Sequence, residues 1–188
     1  MPYFEKIPGE RIYLSPINPD DAELYTKWLN DLEITRWLGS TGSVFSLPAE
    51  RAWLDGNLKD TNNYQFAIVL RDGDNLRGGD RLIGGTGFHD INQVNRRATL
   101  GIFIGGAEDR SKGYGAEALR LLVGYGFKWL GLLNIDLHVH SGNARAIRCY
   151  EKAGFRTYGR RSGVIFYDGG WMDDVLMEVL AKDWLDQA

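Results

Sequence analysis

The chain has 188 residues, 44% of them hydrophobic and 25% charged, with a formal net charge of −3. That balance predicts one globular domain over residues 1–188 with a sizeable core, and it gives no electrostatic case for nucleic acid or an anionic membrane as partner. The single cysteine, Cys149, excludes an internal disulfide and fits a reduced, cytoplasmic setting, while MPYFEKIPGE lacks the apolar core of a leader and no apolar run is long enough to span a bilayer.

In chain order, GERIYLSPI alternates and predicts a first strand. NPDDAELYTKWLND predicts a helix starting near Pro19 and Asp20, with acidic residues in its first turn. A second helical piece covers 32–38. A third starts after Ser46, with Pro48 near its first turn and Glu50, Trp53, Leu54 and Leu58 following. YQFAIVLRD predicts a strand. DGDNLRGGDR, 72–81, is a turn-rich hairpin tip. Its Asp72 and Asp74 resemble the start of a calcium loop, but the sixth-position glycine and twelfth-position glutamate are missing. RLIGGTGFHDI and RRATLGIFIG are two more strands joined through Asn92 to Asn95. A glycine-bearing loop and a helix to about Leu130 follow, then the strand NIDLHVHSG. NARAIRCYEKAG is a helix with Asn143 at its N-cap and Gly154 past its end. FRTYGRRSGVIFYDG and GWMDDVLMEVLAK close the chain as two strands. The order is mixed α/β, with one strand–helix–strand crossover and antiparallel hairpins around it.

The loop RSKGYGAEAL poses a chemical question, because Gly113 and Gly115 weaken the helix they open. It is not a P-loop, since Lys112 is followed by Gly113, and not a dinucleotide fingerprint, since Ala118 replaces the third glycine. What remains is Arg110-x-x-Gly113-x-Gly115 between a strand and a helix whose Leu119, Leu122, Val123, Phe127 and Leu130 dock on a sheet. Backbone N–H groups from Lys112 to Ala116, Tyr114 included, are placed to converge on a pyrophosphate. A tight turn with glycines for packing is the other reading of the loop alone.

The second stretch, NARAIRCYEKAGF, lies about thirty residues downstream. Together the two stretches resemble the acetyl-CoA-binding signature of the GNAT superfamily of N-acetyltransferases. The first is similar to its Arg/Gln-x-x-Gly-x-Gly/Ala loop. The second is similar to its Asn-x-x-Ala-x-x-x-Tyr-x-x-x-Gly-Phe helix, at Asn143, Ala146, Tyr150, Gly154 and Phe155. ERIYLSPINPDDAELYTKWLND, GGTGFHDINQVNRRATLGIFIG and FRTYGRRSGVIFYDGGWMDDVLMEVL resemble the opening, central hairpin and closing hairpin of the RimJ/RimL-like branch. That branch includes ribosomal-protein N-terminal acetyltransferases, and spermidine and antibiotic acetyltransferases are similar to it.

The resemblance implies a GNAT acyl-CoA N-acyltransferase fold: a mixed, mostly antiparallel sheet with a splayed central strand pair and flanking helices. It implies acetyl-CoA as cosubstrate, no metal, an amine as acceptor and a homodimer as a common assembly. Arg110 to Ala116 would take the pyrophosphate and Asn143 would also contact the coenzyme. Ile102, Phe103 and Ile104 would offer a free strand edge to the pantetheine arm. Tyr150 matches the family's general acid. A tyrosine of pKa about 10 giving a proton to a thiolate whose acid has pKa near ~8.5 makes an uphill transfer.

The base is the departure. Many members carry glutamate where this chain has Thr99, which is no base at neutral pH. His89 and Asp90 are the candidates on the preceding strand. If residue 88 pairs with 99, Asp90 shares a face with Thr99 and His89 points away, and a one-residue slip reverses this. An α-amine, pKa about 7.7–8.0, is on the order of one fifth neutral near pH 7.2, and a lysine-like amine, pKa about 10.4, under one part in a thousand. A site without a dedicated carboxylate therefore favours a protein or peptide N-terminus. A polyamine or antibiotic acceptor, or a coenzyme-binding module without transfer, stands as the alternative. His138 and His140 share a strand face without a third metal ligand. Cys149 reads as an inert thiol, and Trp28, Trp37 and Trp53 as packing residues of the N-terminal helices that cover the family's acceptor side.

Overall fold

The computed structural model describes residues 3–59, 64–71 and 79–186. The chain runs β1 (Ile7–Pro8), β2 (Ile12–Pro16), a 3-10 turn (Pro19–Asp21), α1 (Ala22–Leu29), α2 (Leu32–Thr35), α3 (Leu47–Lys59), β3 (Gln65–Leu70), β4 (Arg81–Asn92) and β5 (Arg97–Ile104). A second 3-10 turn (Ala107–Asp109) precedes α4 (Tyr114–Lys128), β6 (Asn134–His140), α5 (Ala144–Lys152), β7 (Arg156–Tyr167), β8 (Gly170–Leu180) and α6 (Ala181–Leu185).

The strands form one sheet in the order β1-β2-β3-β4-β5-β6-β8-β7. The pairs β1–β2, β2–β3, β3–β4, β6–β8 and β7–β8 are antiparallel, and β5–β6 is parallel. That parallel pairing runs only from Arg97↔Asn134 to Thr99↔Asp136. Beyond it β6 continues to His140 against β8, and β5 continues to Ile104. This is the mixed sheet with a splayed central pair that the motifs imply. The residues group into two compact units, Met1–Gly87 with Ile102–Leu121 and Phe88–Gly101 with Leu122–Ala188.

In the first unit the apolar alternation of β2, β3 and β4 buries both sheet faces. Tyr13, Ala67, Val69 and Leu82 belong to a core with Ala22, Tyr25 and Trp28 of α1, Ile34 of α2 and Leu54 of α3. On the other face Ile12, Leu14, Ile68 and Ile83 are fully buried, as are Ala118 and Leu119 of α4. Two glycines set how closely the chain packs here. A Cβ on Gly84 would collide with the carbonyl oxygen of Phe103, and one on Gly105 would enter the Trp28 ring. The missing side chains therefore let the end of β5 lie directly against β4 and α1.

The second unit buries Ile135, Leu137 and Val139 of β6, Met177 and Val179 of β8, and Leu122, Val123 and Phe127 of α4. Gly126 faces Phe88, Ile135 and Leu132, with a Cβ position 2.8 Å from the Phe88 ring. Asn143 caps α5 by accepting from the Ala146 N–H at 3.1 Å, and Gly154, at φ 93°, ends that helix in the left-handed region.

The elements differ from the sequence expectation at their ends. The first helix opens as the 3-10 turn, because the Asn18 side chain accepts from Asp20 N–H and closes a tighter turn. The second helix is only α2, ending at Thr35. β1 and α6 are additional elements. The last strand gives way to α6 after Leu180, where Trp184 packs edge-on against Phe127 at 5.9 Å. Asp72, Asp74 and the side chain of Leu58 lie outside the described residues. Among the described residues no helix is long and apolar enough to cross a membrane.

Gly105→Ala drives a methyl into the Trp28 ring, which is already packed edge-on against Tyr25 and Phe103. The expected cost is roughly 1–3 kcal/mol of stability, read as a lower urea midpoint with an unchanged slope.

Candidate active site

The loop after β5 is held in place by charges that it does not offer to a ligand. Asp109, with a side chain only 1% exposed, is gripped by Arg81 through two bonds, Nη1 to Oδ2 at 2.7 Å and Nη2 to Oδ1 at 2.5 Å. The Arg110 guanidinium turns back and donates to the carbonyls of Ile104 at 3.2 Å and Gly105 at 2.6 Å. It thereby ties the end of β5 to the loop. The two residues flanking Lys112 are both left-handed, Ser111 at φ 62° and Gly113 at φ 87°. Such backbone curls N–H groups toward one side, and the first N–H groups of α4 add the unpaired donors and partial positive charge of a helix start. Backbone of this kind suits an anion, and Lys112 adds an exposed cation beside it.

Sequence reasoning missed Arg11. Its Nε donates to Glu117 Oε2 at 3.0 Å and its Nη1 to the carbonyl of Lys112 at 2.9 Å. The guanidinium also lies over the Tyr114 ring, 5.1 Å from the centroid. A Cβ on Gly113 would come within 3.1 Å of Nη2. So one reason for glycine at 113, beside its positive φ, is the approach of this arginine. Glu117 Oε1 accepts from the N–H groups of Glu10 and Arg11, both at 2.9 Å, and of Ile12 at 3.3 Å. Burial pushes the Glu117 carboxyl up, but these N–H donors and the Arg11 guanidinium outweigh it and hold it below the ordinary carboxylate range. The only sequence signal was charge, a glutamate in the first turn of a helix and an arginine opening a strand.

Of the three strand residues predicted to meet the pantetheine arm, Ile102, Phe103 and Ile104 all stand half-buried at the end of β5. Phe103 spends its ring on Tyr25 and Trp28, at 6.3 and 5.9 Å between centroids.

In the second unit Tyr150 is buried on α5, its ring 5.9 Å from that of Phe155. Burial, and to a lesser degree Cys149 beside it, push the phenol up from its ordinary value. It stays protonated across physiological pH and can donate. The Asn143 side-chain oxygen is engaged in the helix cap.

Thr99 donates its hydroxyl to Asp136 Oδ1 at 2.7 Å, across the last pair of β5 and β6. A carboxylate thus stands one strand away from the position where many family members carry glutamate. Its place follows from a parallel register that the sequence alone did not fix. His89 lies over Gly101, whose Cβ position is 2.7 Å from Nε2. Gly101 and Thr99 are two apart on one strand, so His89 is on the face of Thr99. The irregular backbone at Asp90, φ 48°, interrupts the alternation on which the sequence expectation for this hairpin depended. Partial burial pushes the His89 imidazole down, against the pull of Asp90 and with the help of His138.

His138 continues the same face of β6. Its Nδ1 is 3.2 Å from Oδ2 of Asp174, a carboxylate 1% exposed that also accepts from Arg161 at 3.0 Å. Among the described residues no group of three or more possible ligands is placed to hold a metal ion.

Arg81→Gln leaves Asp109 charged and buried without its partner. The expected loss is about 3 kcal/mol, read by urea unfolding. The affinity for acetyl-CoA should fall as well, because the loop loses its anchor.

A family model described as an acetyltransferase (GNAT) domain matches residues 11–156. The uncharacterized N-acetyltransferase YoaA of Bacillus subtilis (strain 168) is 30% identical over 171 residues, covering 88% of this chain and 91% of its own. The spermidine N(1)-acetyltransferase of Escherichia coli (strain K12) is 33% identical over 96 residues, about half of each chain at 51%. Among solved structures, the spermidine N-acetyltransferase from Vibrio cholerae in complex with CoA and spermine superimposes with a TM-score of 0.84 at 22% identity. It covers 94% of this chain and 99% of that one. The family model over residues 11–156 and the relative at 30% identity show the family, the fold agrees, and the chain belongs to the GNAT family of acetyl-CoA-dependent N-acetyltransferases.

Proposed function

We propose that this acetyltransferase, a RimJ/RimL-like member, acetylates the α-amine of a protein or peptide N-terminus by direct attack in a ternary complex. Bound at the loop, acetyl-CoA supplies the thioester carbon and a thiolate leaving group. The chain supplies the rest. The helix start and the curled loop hold the phosphates, Ile102 to Ile104 offer backbone donors along the acyl arm, and a strand N–H stabilises the developing oxyanion. Tyr150 donates toward the departing sulfur. Its raised pKa makes full transfer uphill, so the thiolate is stabilised first by the hydrogen bond, and the proton follows from solvent.

The observation that carries the acceptor class is His89. Its imidazole is neutral at physiological pH because its pKa lies below the ordinary value. A neutral imidazole is a weak base. An α-ammonium of pKa about 7.7–8.0 lies between one and two units above ordinary histidine, whereas an alkylammonium of pKa about 10.4 lies nearly four above. Each unit costs a factor of about ten in the deprotonated population. His89 suits the first and not the second. Asp90, next to it, supports the protonated imidazole after transfer.

A second reading has its own support. The relatives and fold neighbours include spermidine acetyltransferases, and Asp136 adds a carboxylate on the face of Thr99 that a polyamine would find attractive.

Thiol release from acetyl-CoA, with product mass, separates the two. The panel holds peptides with free Ala, Ser, Thr and Met N-termini, spermidine and an aminoglycoside. A peptide should gain an acetyl mass with the highest kcat/KM. Much faster turnover of spermidine would overturn the α-amine reading.

On the working acceptor, Tyr150→Phe should lose roughly 10²-fold or more in kcat. With a peptide acceptor, kcat/KM should rise with pH through two steps. One lies near the α-amine pKa of about 8, and one lies below the ordinary histidine value. His89→Gln should remove the lower step and leave the upper one.

A further inference from the structure

Coenzyme A carries three phosphates, a pyrophosphate and a 3′-phosphate. The donors assigned so far are backbone N–H groups and the exposed Lys112. Of the other charged groups near the loop, Asp109 is neutralised by Arg81, and Arg110 is turned onto the carbonyls of Ile104 and Gly105. One further cation is poised there, on a different segment of the chain.

We infer that Arg11 is a coenzyme-binding residue, its Nη2 donating to a phosphate of acetyl-CoA beside Gly113. Four observations place it there. Its Nη1 bonds the Lys112 carbonyl at 2.9 Å, so the guanidinium reaches the loop itself. Its plane is seated over the Tyr114 ring. Nη2 faces the bare side of Gly113, where any side chain would cover it. The side chain is 46% exposed, so the guanidinium is within reach of a ligand arriving from solvent.

Glu117 does not cancel the cation. One of its oxygens is already occupied by three backbone N–H groups, and the other takes only Nε. Its effect on Arg11 is to fix the fork, so that little side-chain entropy is lost when a phosphate arrives. A planar fork held at one edge and open at the other suits a phosphate oxygen better than a flexible ammonium would.

This inference rests on coenzyme binding and not on the identity of the amine, so a failed acceptor panel leaves it standing. Calorimetry with acetyl-CoA and with 3′-dephospho-CoA tests it, on wild type, Arg11→Gln, Arg11→Lys and Glu117→Gln. The expected result is roughly tenfold weaker acetyl-CoA binding by Arg11→Gln, the worth of one charge-assisted hydrogen bond. Arg11→Lys should recover part of the loss. If wild type prefers acetyl-CoA over the dephospho form and Arg11→Gln does not, the contact is to the 3′-phosphate. Equal losses for both forms place it on the pyrophosphate.

Two results would overturn the inference. One is unchanged affinity in Arg11→Gln. The other is a loss that Glu117→Gln matches and Arg11→Lys does not recover, which would make Arg11 a strut of the loop only. Because Arg11→Gln risks misfolding, phenylglyoxal labelling of wild type, mapped by peptide mass, gives a second reading. Saturating acetyl-CoA should protect Arg11 from the reagent, and unchanged labelling would again sink the proposal.

Discussion

A loop that is to bind an anion through its own backbone, as we propose for residues 110–116, must leave its N–H groups unpaired, and this constraint runs through the first unit. Unpaired N–H groups do not hold a loop in shape, so other groups have to. Here the work is done from behind. Asp109 is pulled inward by Arg81, the Arg110 side chain takes carbonyls at the end of β5, and Glu117 gathers three backbone N–H groups from the segment entering β2. Each of these uses side-chain charge to fix backbone, and none consumes a donor of the curl at 111–113. The acidic character of the stretch, with Glu108 and Asp109 next to the left-handed turn at 111–113, is resolved in the same way for Asp109, which is buried against a guanidinium.

Glycine serves the same constraint at longer range. Gly84 and Gly105 let β5 end close to β4 and α1, which sets where the loop begins. Gly113 serves twice, once for its positive φ and once for the guanidinium of Arg11. A composition count with 24 glycines does not distinguish these positions from Gly42 or Gly56, where a Cβ would meet nothing within 4 Å.

Much of this was legible in the sequence because it is local. The cap at Asn143, the stop at Gly154, the extents of β3 and β6, and the glycine turn before α4 are all written in neighbouring residues. What was not legible depends on register and on long-range pairing. The Thr99–Asp136 bond joins residues 37 apart, and Arg11–Glu117 joins residues 106 apart. Neither residue type is unusual, so only the fold identifies them. The His89 question turned on a single residue of slip, and periodicity of two cannot decide it. The irregular backbone at Asp90 is a further reason, since it ends the alternation within the hairpin. α6 was missed because its five residues are too few to show a helical period, and because the packing of Trp184, not propensity, ends the strand.

The contact between Trp28 and Gly105 has an optical consequence. The indole is buried, stands edge-on to Tyr25 and Phe103, and abuts the backbone from which the loop before α4 departs. Trp53, Trp129 and Trp171 are exposed. An aqueous quencher that darkens those three leaves Trp28 among the emitters that remain. The protein thus carries, without labelling, a fluorophore seated against Gly105, where β5 gives way to the loop before α4.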